Sequence, residues 1–109
     1  MVGKIKVIYT PHVIAYLDEL VRGLYKEEYF GFIESAEDYV VRIYDAVSEN
    51  INLSSHKITP SKLQHLGSNY IFYKSNARTT WYIFFEKRAN DYLITGIMNN
   101  HCEEAKEFK

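Results

Sequence analysis

Two runs of strand-forming residues, Thr79 to Lys87 and Tyr92 to Asn100, stand on either side of the short segment Arg88-Ala89-Asn90-Asp91, and no other feature restricts the fold as much. Aromatic and β-branched side chains dominate both runs, so they predict a β-hairpin. A third run, Tyr70 to Lys74, precedes them across Ser75-Asn76-Ala77. Three such runs with short connections make an antiparallel meander. A small meander with apolar side chains needs other elements packed on it to be stable.

The covering layer lies upstream. Lys4 to Tyr9 alternates Lys4, Lys6 and Ile8 with Ile5, Val7 and Tyr9, which predicts a first strand. Thr10-Pro11 ends it: Thr is a good N-cap and Pro suits the first helical position, so a helix is expected from Pro11 to about Glu28. Val13, Ile14, Leu17, Leu20, Val21 and Leu24 form its apolar stripe. Gly31 breaks the pattern, and Ser35-Ala36-Glu37-Asp38 reads as the cap of a second helix reaching about Leu53. Its inward residues are Tyr39, Val40, Ile43, Val47 and Ile51, with Arg42, Asp45 and Glu49 outward. So short a connection predicts an antiparallel helix hairpin. Ser54 to Asn69 reads as a loop with one turn of helix after Pro60, and Glu103 to Glu107 as a short polar, helical end.

The expected fold class is therefore α+β: an N-terminal strand, a two-helix hairpin and a three-stranded antiparallel meander, forming one mixed or antiparallel sheet packed on the helices. The length of 109 residues, with 47% hydrophobic and 25% charged, is that of one domain spanning positions 1–109. The longest apolar run, Trp81 to Phe85, is too short to cross a bilayer, and no apolar leader follows Met1, so a cytoplasmic protein without membrane contact is expected. A single cysteine, Cys102, agrees with a reducing compartment. The formal net charge of −1 lacks the basic excess that usually accompanies a grip on a phosphate backbone. Either nucleic acid is not the ligand, or affinity comes from a local basic cluster or a larger partner.

The element order resembles that of the RelE/ParE toxin superfamily, the plasmid-stabilisation toxins of type II toxin–antitoxin systems. The resemblance is local as well: Tyr9-Thr10-Pro11 is similar to its strand-to-helix junction and Ser35 to Val40 to the start of its second helix. Arg78 to Phe85, Tyr92-Leu93-Ile94-Thr95 and Asn99-Asn100-His101 resemble the branch whose last strand ends in a histidine. The resemblance implies a growth-inhibiting, stress-response toxin silenced by a cognate antitoxin. In the RelE branch the activity is that of an mRNA interferase, a ribosome-dependent endoribonuclease; in the ParE branch it is inhibition of DNA gyrase through protein binding. An inactive domain that only binds its antitoxin, or forms a homodimer, is the third alternative.

Metal-free RNA cleavage needs a base for the 2′-OH proton, cations for the phosphate and an acid for the leaving oxygen. A hairpin turning between Arg88 and Asp91 sets His101 opposite Arg78 and Asn99 opposite Thr80. Arg88 lies about ten strand residues, roughly 30 Å, from Arg78 and is excluded from the same site. The catalytic candidates are thus His101, Arg78 and Lys74, with Lys57, Lys62, Asn99, Asn100 and Tyr82 as contacts for RNA or a partner. Histidine is the side chain intrinsically suited to acid–base work near neutral pH, although one at a frayed strand end is equally well explained as solvated. Charged residues flanking a turn and asparagines ending a strand have the same plain explanation. Tyr70, Tyr73, Trp81 and Tyr82 could stack bases, but aromatic strand residues more often serve a core or a protein interface. Cys102 adjoins His101, yet neighbours on a strand point to opposite faces, which disfavours a nucleophile–base pair. His12, His56 and His65 lack metal-ligand spacing, so neither a metal nor another cofactor is expected.

Overall fold

The computed structural model describes residues 6–26, 33–51, 57–75, 77, 79–89 and 91–108. The elements are β1 (Lys6–Tyr9), α1 (Pro11–Lys26), α2 (Ile33–Asn50), β2 (Lys57–Ile58), a 3-10 helix at Ser61–Leu66, β3 (Asn69–Lys74), β4 (Thr80–Arg88), β5 (Asp91–Asn99) and a second 3-10 helix at Glu103–Phe108. The five strands form one mixed sheet in the order β1-β5-β4-β3-β2. β1 runs parallel to β5, and every other neighbouring pair is antiparallel. The fold is α+β, with the meander in the centre of the sheet.

The helix α1 begins at Pro11 as expected, and the Thr10 carbonyl accepts the N–H groups of Val13 and Ile14 at 3.0 and 3.1 Å, while the Thr10 hydroxyl meets the His12 ring rather than a backbone N–H. The Thr10 N–H donates to the Ile94 carbonyl at 3.1 Å, tying the helix start to β5. Val13 and Leu17 are buried, with Leu20 and Val21 packed beside them. Ile14, expected in the same stripe, is 42% exposed. At about 100° per residue it falls just outside the stripe that runs from Leu20 through Val13 and Leu17 to Val21. On α2, Val40, Ile43 and Val47 are buried, as is Ile51 just past its end, while Arg42, Asp45 and Glu49 face solvent. The helix begins at Ile33, so Ser35 lies within its first turn rather than capping it. Boundaries of this kind shift readily by a residue or two, because the first turn makes few intrahelical bonds. Lys4, Glu28, Gly31, Leu53 and His56 lie outside the described residues.

The segment read as a loop contains β2, which pairs Lys57 with Tyr70 and Ile58 with Asn69. Two residues are too few to show a period, so the fifth strand had no signature. The helical turn after Pro60 is present as the 3-10 helix Ser61–Leu66.

Alternation along β3, β4 and β5 gives the sheet two apolar faces. Ile71, Trp81, Ile83, Phe85, Tyr92 and Ile94 pack against α1 and α2. On the opposite face Phe84 and Met98 are buried with Leu63 and Ala105, and Tyr70, Tyr82 and Phe108 pack around them.

The hairpin pairs as expected from Arg88↔Asp91 to Phe85↔Ile94, and then a bulge at Thr95 displaces every later pair by one residue. Gly96 faces Phe84 and Asn99 faces Trp81, not Thr80. A bulge leaves no trace in the apolar pattern when residues on both sides of it are apolar. Gly67 makes room for this irregularity: a Cβ there would lie 2.7 Å from Thr95 Oγ1 and 2.8 Å from the Phe85 backbone nitrogen.

Candidate functional site

The end of β5 is fixed by its own asparagines. Asn100 N–H donates to the Thr80 carbonyl at 2.9 Å, and Thr80 N–H donates to Asn100 Oδ1, also at 2.9 Å. The Asn100 amide thus replaces a backbone acceptor and extends the ladder by one pair. Asn99 Oδ1 accepts the His101 N–H at 2.9 Å, an Asx turn that bends the chain away from the sheet. Cys102 N–H donates to the Asn99 carbonyl at 3.2 Å. Together these bonds present His101 on an exposed turn, with Nε2 3.2 Å from Thr79 Oγ1.

Thr79 links that turn to the helices. Its carbonyl accepts the Ser75 N–H at 3.0 Å and the Ser75 hydroxyl at 3.4 Å. Ser75 Oγ lies 2.9 Å from the Tyr39 hydroxyl, which accepts Trp81 Nε1–H at 3.0 Å. An indole N–H only donates and the serine proton is directed to a carbonyl, so Tyr39 donates to Ser75. The hydrogen bonds therefore run from Trp81 through Tyr39 and Ser75 to Thr79. The Tyr16 ring meets Trp81 edge-on at 6.4 Å between centroids. Partial burial, with smaller contributions from Cys102 and Tyr39, raises the Tyr16 phenol above its ordinary pKa.

This cluster draws on α1, α2, the β3–β4 connection and the turn after β5: the exposed imidazole meets the Thr79 hydroxyl, while the bonds from Trp81, Tyr39 and Ser75 end on the Thr79 carbonyl. An exposed imidazole beside a hydroxyl can exchange a proton with, and hydrogen-bond, a polar ligand.

The residues expected to converge on His101 are divided between the two faces of the sheet. His101 meets Thr79, where the uninterrupted hairpin would have set Arg78; Arg78 lies outside the described residues. Lys74 pairs with Thr80, one step from Thr79, so its side chain alternates to the face opposite the Ser75–Tyr39 contact. Lys57 faces Tyr70, and Tyr82 faces Phe72 and Met98, on that same opposite face. The Tyr82 ring stacks on Phe108 at 4.1 Å and 5°. Lys62 is exposed on the first 3-10 helix, and Asn99 and Asn100 are engaged in the bonds that hold the turn.

Tyr16, Tyr39, Ser75 and Thr79 escaped the sequence reading. Tyr39 was legible as inward-facing, but its hydroxyl's partners come from β3 and β4, and no local spacing encodes such contacts. Among the described residues no group of three or more His, Cys, Asp or Glu side chains is placed to hold a metal ion. Among them, too, no helix is long and apolar enough to cross a membrane. No protein-family model, curated protein or solved structure matches the chain.

Proposed function

We propose that this protein is the toxin of a type II toxin–antitoxin pair and that it cleaves mRNA on the ribosome, with His101 as the acid–base group. The observation that carries the proposal is the presentation of His101: an exposed imidazole on a backbone fixed by Asn99 and Asn100, with Nε2 at Thr79 Oγ1. The sheet order also supports the family resemblance, since the first strand lies beside the last and the helix pair covers one face. In this reading the neutral imidazole takes the 2′-OH proton, the 2′-oxygen bonds to the adjacent phosphorus to form a 2′,3′-cyclic phosphate, the P–O5′ bond breaks, and the imidazolium so formed returns its proton, directly or through water, to the leaving 5′-oxygen. Arg78, next to Thr79 in the chain, supplies charge to the phosphate, and Lys74, on the other face of the sheet, contacts RNA beyond it. Lys57, Lys62 and Tyr82 offer contacts to flanking RNA. A cognate antitoxin silences the protein by covering this end of the sheet.

A second reading, a toxin that poisons DNA gyrase by binding protein, is favoured by the net charge of −1 and by the position of Lys57 and Lys74 on the face away from Thr79. Induction in bacterial cells, with primer extension on translated mRNA, separates the two. Growth arrest relieved by a co-expressed partner, with codon-linked cuts lost in His101→Ala, is the expected result. Arrest without cuts favours the gyrase reading, cuts retained by His101→Ala remove the assigned residue, and no arrest leaves only an inactive, partner-binding domain.

A further inference from the structure

The bulge at Thr95 decides which residues surround His101. Before it, pairing follows the turn from Arg88↔Asp91; after it, every pair is displaced, and Asn99 comes to lie opposite Trp81. Without it Asn99 would face Thr80, His101 would face position 78, and each side chain from Gly96 onward would change faces. A bulge is an interruption of the ladder, so something outside the ladder has to favour it. The Thr95 carbonyl accepts a hydrogen bond from His12 Nε2 at 2.8 Å. A carbonyl cannot donate, so Nε2 carries the proton, and Nδ1, 3.1 Å from Thr10 Oγ1, is the acceptor for that hydroxyl in the neutral ring. The Thr95 hydroxyl donates to the Leu66 carbonyl on the opposite side of the strand. The bulge is thus held at both ends, by the first turn of α1 and by the 3-10 helix.

We propose that His12 is a positioning residue for the His101 site, acting through the register of β5. It lies about six strand residues, roughly 20 Å, from His101 and influences that site through the pairing of the strand rather than by contact. His12 is exposed, so its removal leaves the core intact. The functional half of the proposal rests on the reading of His101 as the acid–base group; the register half stands without it.

The test uses full-length His12→Ala and His12→Gln, followed by NMR hydrogen exchange, the His101 imidazole resonances and thermal unfolding. Loss of one hydrogen bond of ordinary strength shifts a local equilibrium about fivefold. In His12→Ala the Asn100 amide should therefore exchange about fivefold faster and the His101 resonances should move, while amides of the hairpin before the bulge keep their rates. His12→Gln, which retains a donor at similar reach, should restore both. An unchanged Asn100 rate and unchanged His101 resonances in a folded His12→Ala chain overturn the proposal. Faster exchange throughout the sheet, loss of cooperative unfolding, or no rescue by glutamine overturns it as well, because His12 would then serve the fold as a whole. Growth arrest in the same variants keeps the two proposals apart. Register effects in a chain whose wild type causes no arrest sink the toxin reading alone, and arrest with an undisturbed register in His12→Ala sinks the positioning role alone.

Discussion

The two faces of the sheet are closed by different means. On one, α1 and α2 lay regular stripes, Val13 and Leu17 from the first and Val40, Ile43 and Val47 from the second with Ile51 just past its end, onto Trp81, Ile83 and Phe85. On the other, two 3-10 helices cover Phe84 and Met98 with Leu63 and Ala105, and an aromatic group of Tyr70, Tyr82 and Phe108 fills the remainder. The second cover is incomplete: Phe72, directly opposite Tyr82, is 49% exposed. The continuous run Trp81 to Phe85 explains why both covers are needed, because a strand apolar on both sides cannot leave either side in water. The contrast also separates roles. The thickly covered face carries the Trp81–Tyr39–Ser75 chain that ends on the backbone of Thr79, the neighbour of His101, whereas the thinly covered one carries Tyr82, Lys57 and Lys74.

Paired truncations test that inequality. Phe85→Ala should cost about 3–5 kcal/mol in chemical denaturation, as expected for a fully buried phenylalanine. Phe108→Ala, from a partly buried ring, should cost about 1–2 kcal/mol. Equal losses would mean that the two covers contribute alike. Tyr39→Phe removes the acceptor for Trp81 Nε1–H and the donor to Ser75, and about 1 kcal/mol is expected. A change in the His101 imidazole resonances of this variant would sharpen the comparison by showing that the helix-covered face supports the site.

The smallest effect is expected from Tyr9→Phe near neutral pH, because the Tyr9 hydroxyl is buried with no hydrogen-bond partner among the described residues. Its phenol is held well above the ordinary 10.0 by burial, then by Tyr44. Tyr16 and Tyr44 on the helix side, and Tyr70 on the other, are raised as well, burial being the first cause in each. Such groups keep their protons longer when folded than when unfolded. Their contribution is therefore full below about pH 10 and is lost as the pH climbs through the folded values. Stability should fall above about pH 10, less steeply in Tyr9→Phe; identical alkaline profiles would remove Tyr9 from that explanation.

Much of the frame was legible in the sequence. The Thr10-Pro11 junction, the inward stripe of α2 and the three runs of the meander rest on local periodicity and capping, and they stand where those rules put them. The site was less legible, for a reason visible at Thr95. One unpaired residue between apolar neighbours alters no composition or period, yet it exchanges the partner of Asn99 from Thr80 to Trp81. Ser75 and Tyr39 meet across a turn and a helix, so their bond follows from tertiary packing alone. His12 was readable as lacking metal-ligand spacing, while its partner at Thr95 lies far along the chain.

The parallel pairing of Lys6 with Asp91 and of Tyr9 with Ile94 has a kinetic consequence. Among the described strands β1 pairs with β5 alone, so it gains that neighbour only after β5, made later on the ribosome, has emerged. The helix hairpin can form early from local contacts, but closing the sheet means joining distant parts of the chain, the kind of contact that slows folding. β5 also delivers His101, so the sheet gains its last inner strand and its imidazole in the same late step, and a nascent chain stalled before Asp91 has neither.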